Sequence, residues 1–493
     1  MRVLGLIASV AVLALWGCSD KDPMSSPVED AISVPAAKLT VSGRAGGRAE
    51  ARRSGAAVEG DVVDAGGLTI SATRVRGENE LGGAIGPPLP TAFTVTIENI
   101  SPAFAFAGSG AFNTPEGANG PGPLLPGNSY AFTFSAPPGS RLSFATMYVH
   151  SNDLFYAPDE DGIALWDDGG DQISGDITDQ ILLWDAGTEV NQEPGTGADQ
   201  APRQAGPDTG ADEDGVVQLV DDGFDYGATE DLISVTITPL EATSFSVEIA
   251  NLAASTTPLA PGVWVVHSAA GPLFTDGEAD RGDGLEGLAE DGNPADLAAA
   301  LATDTGVTGV LAPGVWAVHK TSAPLFTDGE ADRGDGLEGL AEDGNPGLLD
   351  AALSGQSGIL GNGVFNTPVG ADGPGPAGPG ADYEFTFSAR PGDWLSFATM
   401  FVQSNDLFYA PGEDGIALWD DGGAPIDGDI TDQILLWDAG TEVNQAPGIG
   451  PDQAPRQSGT DTGADEDGPV QLVDDGFIYP DTDRVIRITI SAQ

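Results

Sequence analysis

Cysteine, lysine and histidine are nearly absent from this sequence. Cys18 is the only cysteine, so no disulfide can form within the chain and no cysteine cluster is available for zinc or an iron–sulfur centre. Among 493 residues there are three lysines and three histidines. This scarcity argues against a Ser-His-Asp or Cys-His nucleophile system. We therefore assign no catalytic residue, and we interpret His267 and His319, which follow duplicated strands, as packing or surface residues.

Positive charge is scarce as well. The chain carries 76 acidic and 18 basic side chains, which gives a formal net charge of −58. Such a surface repels DNA, RNA and anionic lipid, so nucleic-acid partners are not expected. It also repels itself unless salt screens it or cations bind. This composition is typical of halophilic proteins and of calcium-loaded extracellular proteins, in which most of the carboxylates are solvated surface charge.

The sequence contains one long stretch twice. Residues 142–224 return at 395–477 with a constant offset of 253, no gap, and 71 of 83 positions identical. Both copies keep every acidic residue of two central motifs, SNDLFY and WDAGTE. A repeat of this size predicts tandem domains rather than a solenoid of short units.

Short alternating apolar runs begin at Leu68 and continue through both copies. Turn sequences such as PGNS, PPGS and DDGG separate them, and glycine (70) and proline (37) are abundant. This pattern predicts an all-β fold of two tandem antiparallel β-sandwiches. We expect the first sandwich at residues 68–240 and the second at residues 241–493.

A shorter unit is repeated inside the second copy. Thirty-four residues that begin at Pro261 recur from Pro313 with 29 identities. Each unit is predicted to hold a short strand, an acidic loop and a helix. We expect these helical units, at 261–312 and 313–360, as insertions in the second sandwich, while the first sandwich lacks one. A further hypothesis is that one unit packs on each sandwich and so compensates for the unit missing from the first copy.

The N-terminal residues are typical of an export signal. An almost wholly apolar run at residues 3–16 is too short for a comfortable transmembrane span and predicts a signal peptide at 1–17. The sequence LWGC that ends at Cys18 resembles a bacterial lipobox, which predicts a lipidated Cys18 that anchors the protein to the membrane of the cell envelope or surface. An ordinary secretory signal with an incidental cysteine is the alternative. Residues 18–67 predict a flexible tether.

The motifs SNDLFY and WDAGTE, together with the upstream segment GLEGLAEDGNP, resemble the spondin N-terminal domain, the module of F-spondin and mindin. The resemblance covers most of residues 93–239 and 243–490. It implies an antiparallel β-sandwich that binds calcium and acts in extracellular-matrix or adhesion contexts. Pattern alone leaves open that the motif aspartates only bond to backbone amides in turns. The ligands that the resemblance implies are Asp153, Asp185, a backbone carbonyl near Leu182 and, as an additional candidate, Glu189 in the first copy, and Asp406, Asp438, Leu435 and Glu442 in the second.

Two further motifs are less specific. The acidic loop TGADEDG, at 209–215 and 462–468, lacks the ligand spacing of an EF-hand and is interpreted as a solvated turn. The tripeptide Arg-Gly-Asp occurs at Arg281 and Arg333, but the duplication makes this one event, and integrin binding is not expected.

The expected function is calcium-dependent binding at the cell surface to extracellular matrix, polysaccharide or another cell-surface ligand, without enzymatic activity. Two alternatives remain open. A carbohydrate-active enzyme would use paired carboxylates and would need a cleft with one carboxylic acid of raised pKa. A purely structural spacer would have no saturable ligand.

Overall fold

The computed structural model describes residues 89–493 in full and, before them, the backbone of four strands. The predicted signal peptide and Cys18 lie outside the described residues. The four strands belong to a unit that ends at Pro87, and the one that begins at Leu68 pairs with a strand inside the expected tether. The first sandwich therefore does not begin at residue 68. The strands form two antiparallel hairpins, β1 (Thr40–Ser42) with β2 (Glu50–Arg52) and β3 (Val58–Ala65) with β4 (Leu68–Arg74).

Residues 89–493 form two β-sandwiches, each built from one large and one small antiparallel sheet. The strands are β5 (Thr91–Asn99), β6 (Phe106–Phe112), β7 (Ser129–Ser135), β8 (Arg141–Tyr148), β9 (Leu154–Ala157), β10 (Ile163–Ala164), β11 (Gly175–Asp176), β12 (Leu182–Asp185), β13 (Gln218–Leu219), β14 (Ile233–Glu241), β15 (Ser244–Asn251), β16 (Leu259–His267), β17 (Leu311–His319), β18 (Ile359–Phe365), β19 (Asp382–Ala389), β20 (Trp394–Phe401), β21 (Leu407–Pro411), β22 (Ile416–Ala417), β23 (Gly428–Asp429), β24 (Ile434–Asp438), β25 (Gln471–Leu472) and β26 (Ile486–Ala492). The helices are α1 (Thr229–Leu232), α2 (Leu285–Asp291), α3 (Ala295–Thr303), α4 (Leu337–Asp343), α5 (Gly347–Gly355) and α6 (Thr482–Val485), with 3-10 turns at Thr178–Gln180 and Thr431–Gln433.

The two sandwiches have the same strand order. In the first, the large sheet runs β13-β12-β9-β8-β16-β6, with β10 beside β8, and the small sheet runs β11-β14-β15-β7. In the second, the large sheet runs β25-β24-β21-β20-β17-β18, with β22 beside β20, and the small sheet runs β23-β26-β5-β19. The all-β fold with two antiparallel domains is thus confirmed.

The sandwiches are interlaced along the chain rather than arranged in tandem. Strand β5 belongs to the second sandwich, where it pairs with β19 and β26. The chain then builds the whole first sandwich, from β6 to α3, before it returns to the second at β17. Strands β15 and β16 follow residue 240 but pair with β7, β8 and β6 of the first sandwich. The expected boundary between residues 240 and 241 is therefore wrong.

The duplicated strand GVWxVH explains this arrangement. In each large sheet it lies between two other strands: β16 between β8 and β6, and β17 between β20 and β18. Without it, β6 and β8 would have no common neighbour. The first sandwich has no upstream copy of this strand and therefore uses the one that follows its repeat.

Each sandwich carries one pair of helices on the outer face of its large sheet. In the first, α2 and α3 contribute Leu285, Leu288 and Leu301 to an apolar layer over the sheet. In the second, α4 and α5 form the corresponding layer. The helical units are therefore not confined to the second sandwich; one unit packs on each, as the compensation hypothesis required. Because both faces of the large sheet are covered, seven of the eight residues of β8 are buried.

The cores between the sheets are rich in aromatic side chains. In the first sandwich the Phe132 ring stacks on Phe112 and on Trp264, with centroids 5.1 and 5.9 Å apart. In the second, Phe385 stacks in the same way on Phe365 and Trp316. None of the helices in the described part of the chain is long and apolar enough to cross a membrane.

Candidate metal centre

Asp153 lies in the turn before β9 and is completely buried. Its Oδ2 accepts hydrogen bonds from the backbone N–H groups of Thr188 (2.8 Å) and Glu189 (3.0 Å). The other carboxylate oxygen, Oδ1, is buried and has no hydrogen-bond partner among the described residues. One oxygen of Asp153 thus holds the loop after β12 in place, while the other is left unbonded in the protein interior.

Asp185 is the last residue of β12 and lies opposite Leu154 in the ladder with β9. Its Oδ1 accepts a hydrogen bond from the N–H of Gly187 (2.8 Å), and its Oδ2 accepts one from the Asn191 amide (2.7 Å). Burial, and then the nearby charge of Asp185, raise the pKa of Asp153 well above its usual range. The structure therefore brings the two predicted aspartates together as a buried pair.

A second group of carboxylates adjoins this pair. Glu189, Asp208 and Glu290 each place a carboxylate oxygen within 4.8 Å of the others. Glu189 is fixed by the N–H of Gly210 (2.7 Å) and by the amide of Asn152 (3.2 Å). Together, the pair and this group form the first acidic centre, which consists of Asp153, Asp185, Glu189, Asp208 and Glu290.

Glu290 is the least expected member of the first acidic centre. It lies on α2 and is only 2% exposed, and its Oε2 has no partner within the described chain. Burial, with smaller contributions from the like charges of Glu189 and Glu286, raises the pKa of Glu290 to about 8. Glu286 and Glu290 are four residues apart on one helix, a spacing at which like charges destabilise a helix. An uncompensated carboxylate in such a place is costly unless it is protonated or binds a cation.

The TGADEDG loop positions Asp208 beside Glu189. The loop pairs with the WDAGTE segment through the N–H of Glu213 to the carbonyl of Thr188 (2.9 Å) and the N–H of Gly215 to the carbonyl of Gly187 (2.7 Å). The side chains of residues 211–214 are exposed, which agrees with the solvated turn that we expected. The backbone of the loop nevertheless closes one side of the first acidic centre.

The second sandwich repeats the arrangement. Asp406 is completely buried, accepts hydrogen bonds from the N–H groups of Thr441 (2.8 Å) and Glu442 (3.1 Å), and has an unpartnered Oδ1 within residues 89–493. Asp438 is bonded like Asp185, to Gly440 and Asn444. Burial raises the pKa of Glu342 to about 8. The second acidic centre consists of Asp406, Asp438, Glu442, Asp461 and Glu342, with Glu338, Glu342 and Asp461 within 4.8 Å of one another.

No basic side chain neutralises either centre within the described chain. The ion pairs there are Lys320 with Asp393, Arg484 with Asp481, and Arg487 with Glu98, and none includes a carboxylate of the two centres. Neutralisation must therefore come from protons or from a cation taken up from solution.

Leu182 and Leu435 do not belong to these centres. Leu182 pairs with Ala157, three residues along β12 from Asp185, which is a distance of roughly 10 Å at the rise of a β-strand. Leu435 has the corresponding position on β24, opposite Ala410. The carbonyl near Leu182 or Leu435 is therefore a wrong assignment, because the ladder carries these residues away from the strand end.

Sequence reasoning missed Glu290, Glu342, Asp208 and Asp461. Helix geometry gave no signal for the glutamates: at 3.6 residues per turn Glu290 lies about 140° around α2 from the buried Leu285, on the side of Glu286, and yet it is buried. A buried glutamate needs a partner. Asp208 carries no local signal, because only the folding of the TGADEDG loop brings it close.

The histidines form buried contacts with serines. The Nε2 of His267 lies 2.9 Å from the Ser143 hydroxyl, and its Nδ1 lies 2.6 Å from the carbonyl of Ala269. His319 and Ser396 repeat the contact. Both members of each pair are at least 97% buried, and both ring nitrogens of each histidine have a hydrogen-bond partner. This burial agrees with a packing role.

Comparisons of the chain with protein-family models and with curated proteins found no match. The function must therefore be argued from the geometry of the two acidic centres.

Proposed function

We propose that each acidic centre binds one calcium ion and that the protein is a calcium-dependent binding protein of the cell surface. The observation that carries this proposal is that Asp153 Oδ1 and Glu290 Oε2 are buried in the first centre and have no hydrogen-bond partner among residues 89–493, and that Asp406 Oδ1 is in the same situation in the second. Buried carboxylates in proteins are normally paired or bound to metal.

The chemistry of the donors favours calcium. Each centre offers only carboxylate, amide, hydroxyl and backbone oxygens, which are the ligands of hard cations. Calcium accepts six to eight oxygens in flexible geometry, so backbone carbonyls and water can complete the shell. The ligands proposed for the first centre are Asp153, Glu189, Asp208 and Glu290, with Asp185 as the partner that completes the buried pair.

A bound ion would tie four segments of one sandwich together. The turn before β9, the loop after β12, the residue that precedes the TGADEDG loop (Asp208) and α2 each contribute at least one carboxylate. Calcium at 100 times its dissociation constant would stabilise the folded state by about 2.7 kcal/mol per site. Extracellular calcium modules often bind at about 0.1–1 mM, so millimolar calcium would be sufficient.

The cell-surface role is supported by the composition and by the resemblance to spondin domains. A net charge of −58 suits an environment that is rich in cations. The ligand would be extracellular matrix, polysaccharide or another cell-surface molecule, and the protein would be held at the membrane through Cys18.

The two alternatives explain less of the geometry. In a glycoside hydrolase the acid with raised pKa must reach the substrate, whereas Glu290 is 2% exposed and Asp153 is fully buried. A structural spacer has no need for buried, unpartnered carboxylates.

Calorimetry with calcium at constant high ionic strength tests the proposal. We expect two ions per chain, one ion after Glu290→Gln or Glu342→Gln, and none after both changes. Asp221→Asn, a change at an exposed aspartate in a turn, should leave both sites intact. The site assignment is wrong if the wild type binds no calcium or if the glutamate variants still bind two ions.

The cell-surface role needs a separate test. A screen of glycans and matrix proteins with and without calcium should give saturable binding that the double variant lacks. Hydrolysis of a glycan in the same screen would favour the enzyme instead.

A further inference from the structure

A cleft lies where the two sandwiches meet. This junction cleft has a volume of about 240 Å³ and is lined by the crossing segments around Phe104 and Val307, by Ser140 and His267 of the first sandwich, and by Gln403 and Arg456 of the second. Acidic residues make up 76 of the 493 positions, yet none of the 16 residues that line the cleft is acidic. In a chain that otherwise repels anions, the junction cleft is a place where an anion is not repelled by its immediate surroundings.

Arg456 gives the junction cleft its charge. Its Nε donates to the carbonyl of Gly450 (2.8 Å), its Nη1 to the Gln403 side-chain oxygen (3.1 Å), and its Nη2 to the Gln453 side-chain oxygen. All three acceptors are uncharged, and no ion pair of residues 89–493 includes Arg456. A guanidinium has five N–H donors, so two remain for a ligand.

Burial lowers the pKa of Arg456 to about 10, so the side chain is still positively charged at neutral pH. A half-buried cation without a counter-ion is unfavourable by itself. Just as the buried carboxylates of the acidic centres favour uptake of a cation, Arg456 favours uptake of an anion.

The equivalent arginine of the first sandwich has different surroundings. Arg203 makes the same bonds, to Gly197 and Gln200, but is exposed. Three of the 12 differences between the two long repeats fall near the arginine: His150, Glu193 and Thr196 of the first copy are replaced by Gln403, which bonds to Arg456, by Ala446, whose carbonyl accepts a hydrogen bond from Gln453, and by Ile449, which lines the cleft. The second copy thus has alanine in place of the acidic Glu193 and isoleucine in place of Thr196. It has the neutral Gln403 in place of His150, and the side-chain oxygen of Gln403 accepts a hydrogen bond from Arg456.

We propose that the junction cleft binds a small carboxylate, with Arg456 as its counter-charge. Arginine presents paired N–H donors that match a carboxylate, and a charge-assisted bond of this kind is stronger than a neutral one. The side-chain amide of Gln403, whose oxygen accepts from Arg456, and the hydroxyl of Ser268 are further donors at the wall. The volume lies just below the range of about 300–1,000 Å³ that is typical of pockets for drug-sized molecules, so the ligand is no larger than a single sugar acid.

Calorimetry on the full chain, saturated with calcium, tests the proposal with a panel of probes: acetate, pyruvate, benzoate, D-glucuronate and, as the uncharged counterpart of the last, D-glucose. We expect at least one carboxylate to bind with a stoichiometry of one, and D-glucose not to bind. Arg456→Gln should weaken binding at least about 10-fold, which is the loss expected for a charge-assisted hydrogen bond. The matched change in the other copy, Arg203→Gln, should leave the affinity unchanged.

A second variant keeps the test informative if Arg456→Gln disturbs the fold. Ala446→Glu restores the acid of the first copy at a residue whose carbonyl bonds to Gln453, the side chain that Arg456 also contacts, and the added negative charge should weaken carboxylate binding about 10-fold. The two titrations are read separately: a wild-type chain that binds calcium but no carboxylate contradicts this proposal alone, and one that binds a carboxylate but no calcium contradicts the proposed function alone. The proposal is wrong if no carboxylate of the panel binds at up to about 10 mM, or if Arg456→Gln and Arg203→Gln have equal effects.

Discussion

In the absence of calcium, the protein should lose stability as the pH rises from about 5 to about 8. Burial raises the pKa of Glu290 and Glu342 to about 8 in the folded chain, from the ordinary glutamate value of 4.5. Between these values the folded state holds protons that the unfolded state has released. Because the folded state binds more protons in this window, the free energy of unfolding falls as the pH rises, and the loss levels off above pH 8.

The size of this loss in the free energy of unfolding follows from the pKa shift of the glutamates. One pKa unit corresponds to about 1.4 kcal/mol, so the full shift of a single glutamate sets an upper limit of about 5 kcal/mol. Because the folded state relaxes around a newly charged group, we expect about 2–4 kcal/mol per glutamate. Burial raises the pKa of Asp153 and Asp406 as well, which adds to the loss in the same direction.

Calcium should reverse this loss of stability at rising pH. The ion binds the deprotonated carboxylates, so protons compete with it, and the affinity should rise about tenfold per pH unit for each proton that is displaced. The calcium-induced increase in melting temperature should therefore be small at pH 6 and large at pH 8.5.

Denaturant unfolding with a chelator, between pH 5 and pH 9 at fixed ionic strength, measures the effect. The diagnostic window is pH 6 to 8, where exposed carboxylates are already ionised and general charge repulsion no longer changes. The Glu290→Gln, Glu342→Gln double variant should show a flatter profile and, without calcium, should be more stable than the wild type at pH 9. A wild-type profile that is flat or rising across this window would refute the reasoning.

Three further predictions follow from particular contacts. Gly210→Ala would place a methyl group 2.1 Å from the Glu189 Oε2 and should abolish one of the two calcium sites by calorimetry, whereas Gly206→Ala meets open space and should not. Residues 104–306 expressed alone should fold to a stable monomer, since they contain every strand of the first sandwich, whereas residues 68–240 lack β15 and β16 and should aggregate; equal behaviour in size-exclusion chromatography would contradict the interlaced topology. Cys18→Ser should move the protein from the membrane fraction to the soluble or secreted fraction, and unchanged detergent partitioning would exclude the lipid anchor.

The sequence was sufficient to predict the strands but not their assignment to sheets. Alternating runs such as AFTVTIENI and turn motifs identify strands because the period of two reflects local geometry. Which sheet β5 joins depends on pairing with β19 and β26, some 290 and 390 residues away. The strands AFTVTIENI and SFSVEIANL are nearly equivalent in sequence, so their composition does not distinguish the two partners.

Some residues of the acidic centres could likewise be predicted from the sequence, and others could not. Asp153 and Asp185 were predictable because the motifs place them at the ends of neighbouring strands, and the ladder between β9 and β12 brings those ends together. Leu182 was wrong because the same ladder separates residues along the strand by about 3.3 Å each. Asp208 was beyond sequence reasoning, since its position depends on backbone bonds between the TGADEDG loop and Gly187 and Thr188.

The interlaced chain order also determines why the two arginines differ. Because the first sandwich is inserted into the second, the chain crosses between them twice, and the crossings are bonded to each other through the N–H of Phe104 to the hydroxyl of Thr308 (2.9 Å) and the hydroxyl of Ser101 to the carbonyl of Gly309 (3.1 Å). A simple tandem arrangement would have a single linker and would leave the sandwiches free to move apart. The paired crossings form one wall of the junction cleft, and Arg456, from the duplicated loop of the second sandwich, lines it with them. Both repeats thus contain this loop, and in the second sandwich the loop lies against the crossings. The differences at Gln403 and Ile449 fall where that surface meets the loop, which is where a new ligand would require them.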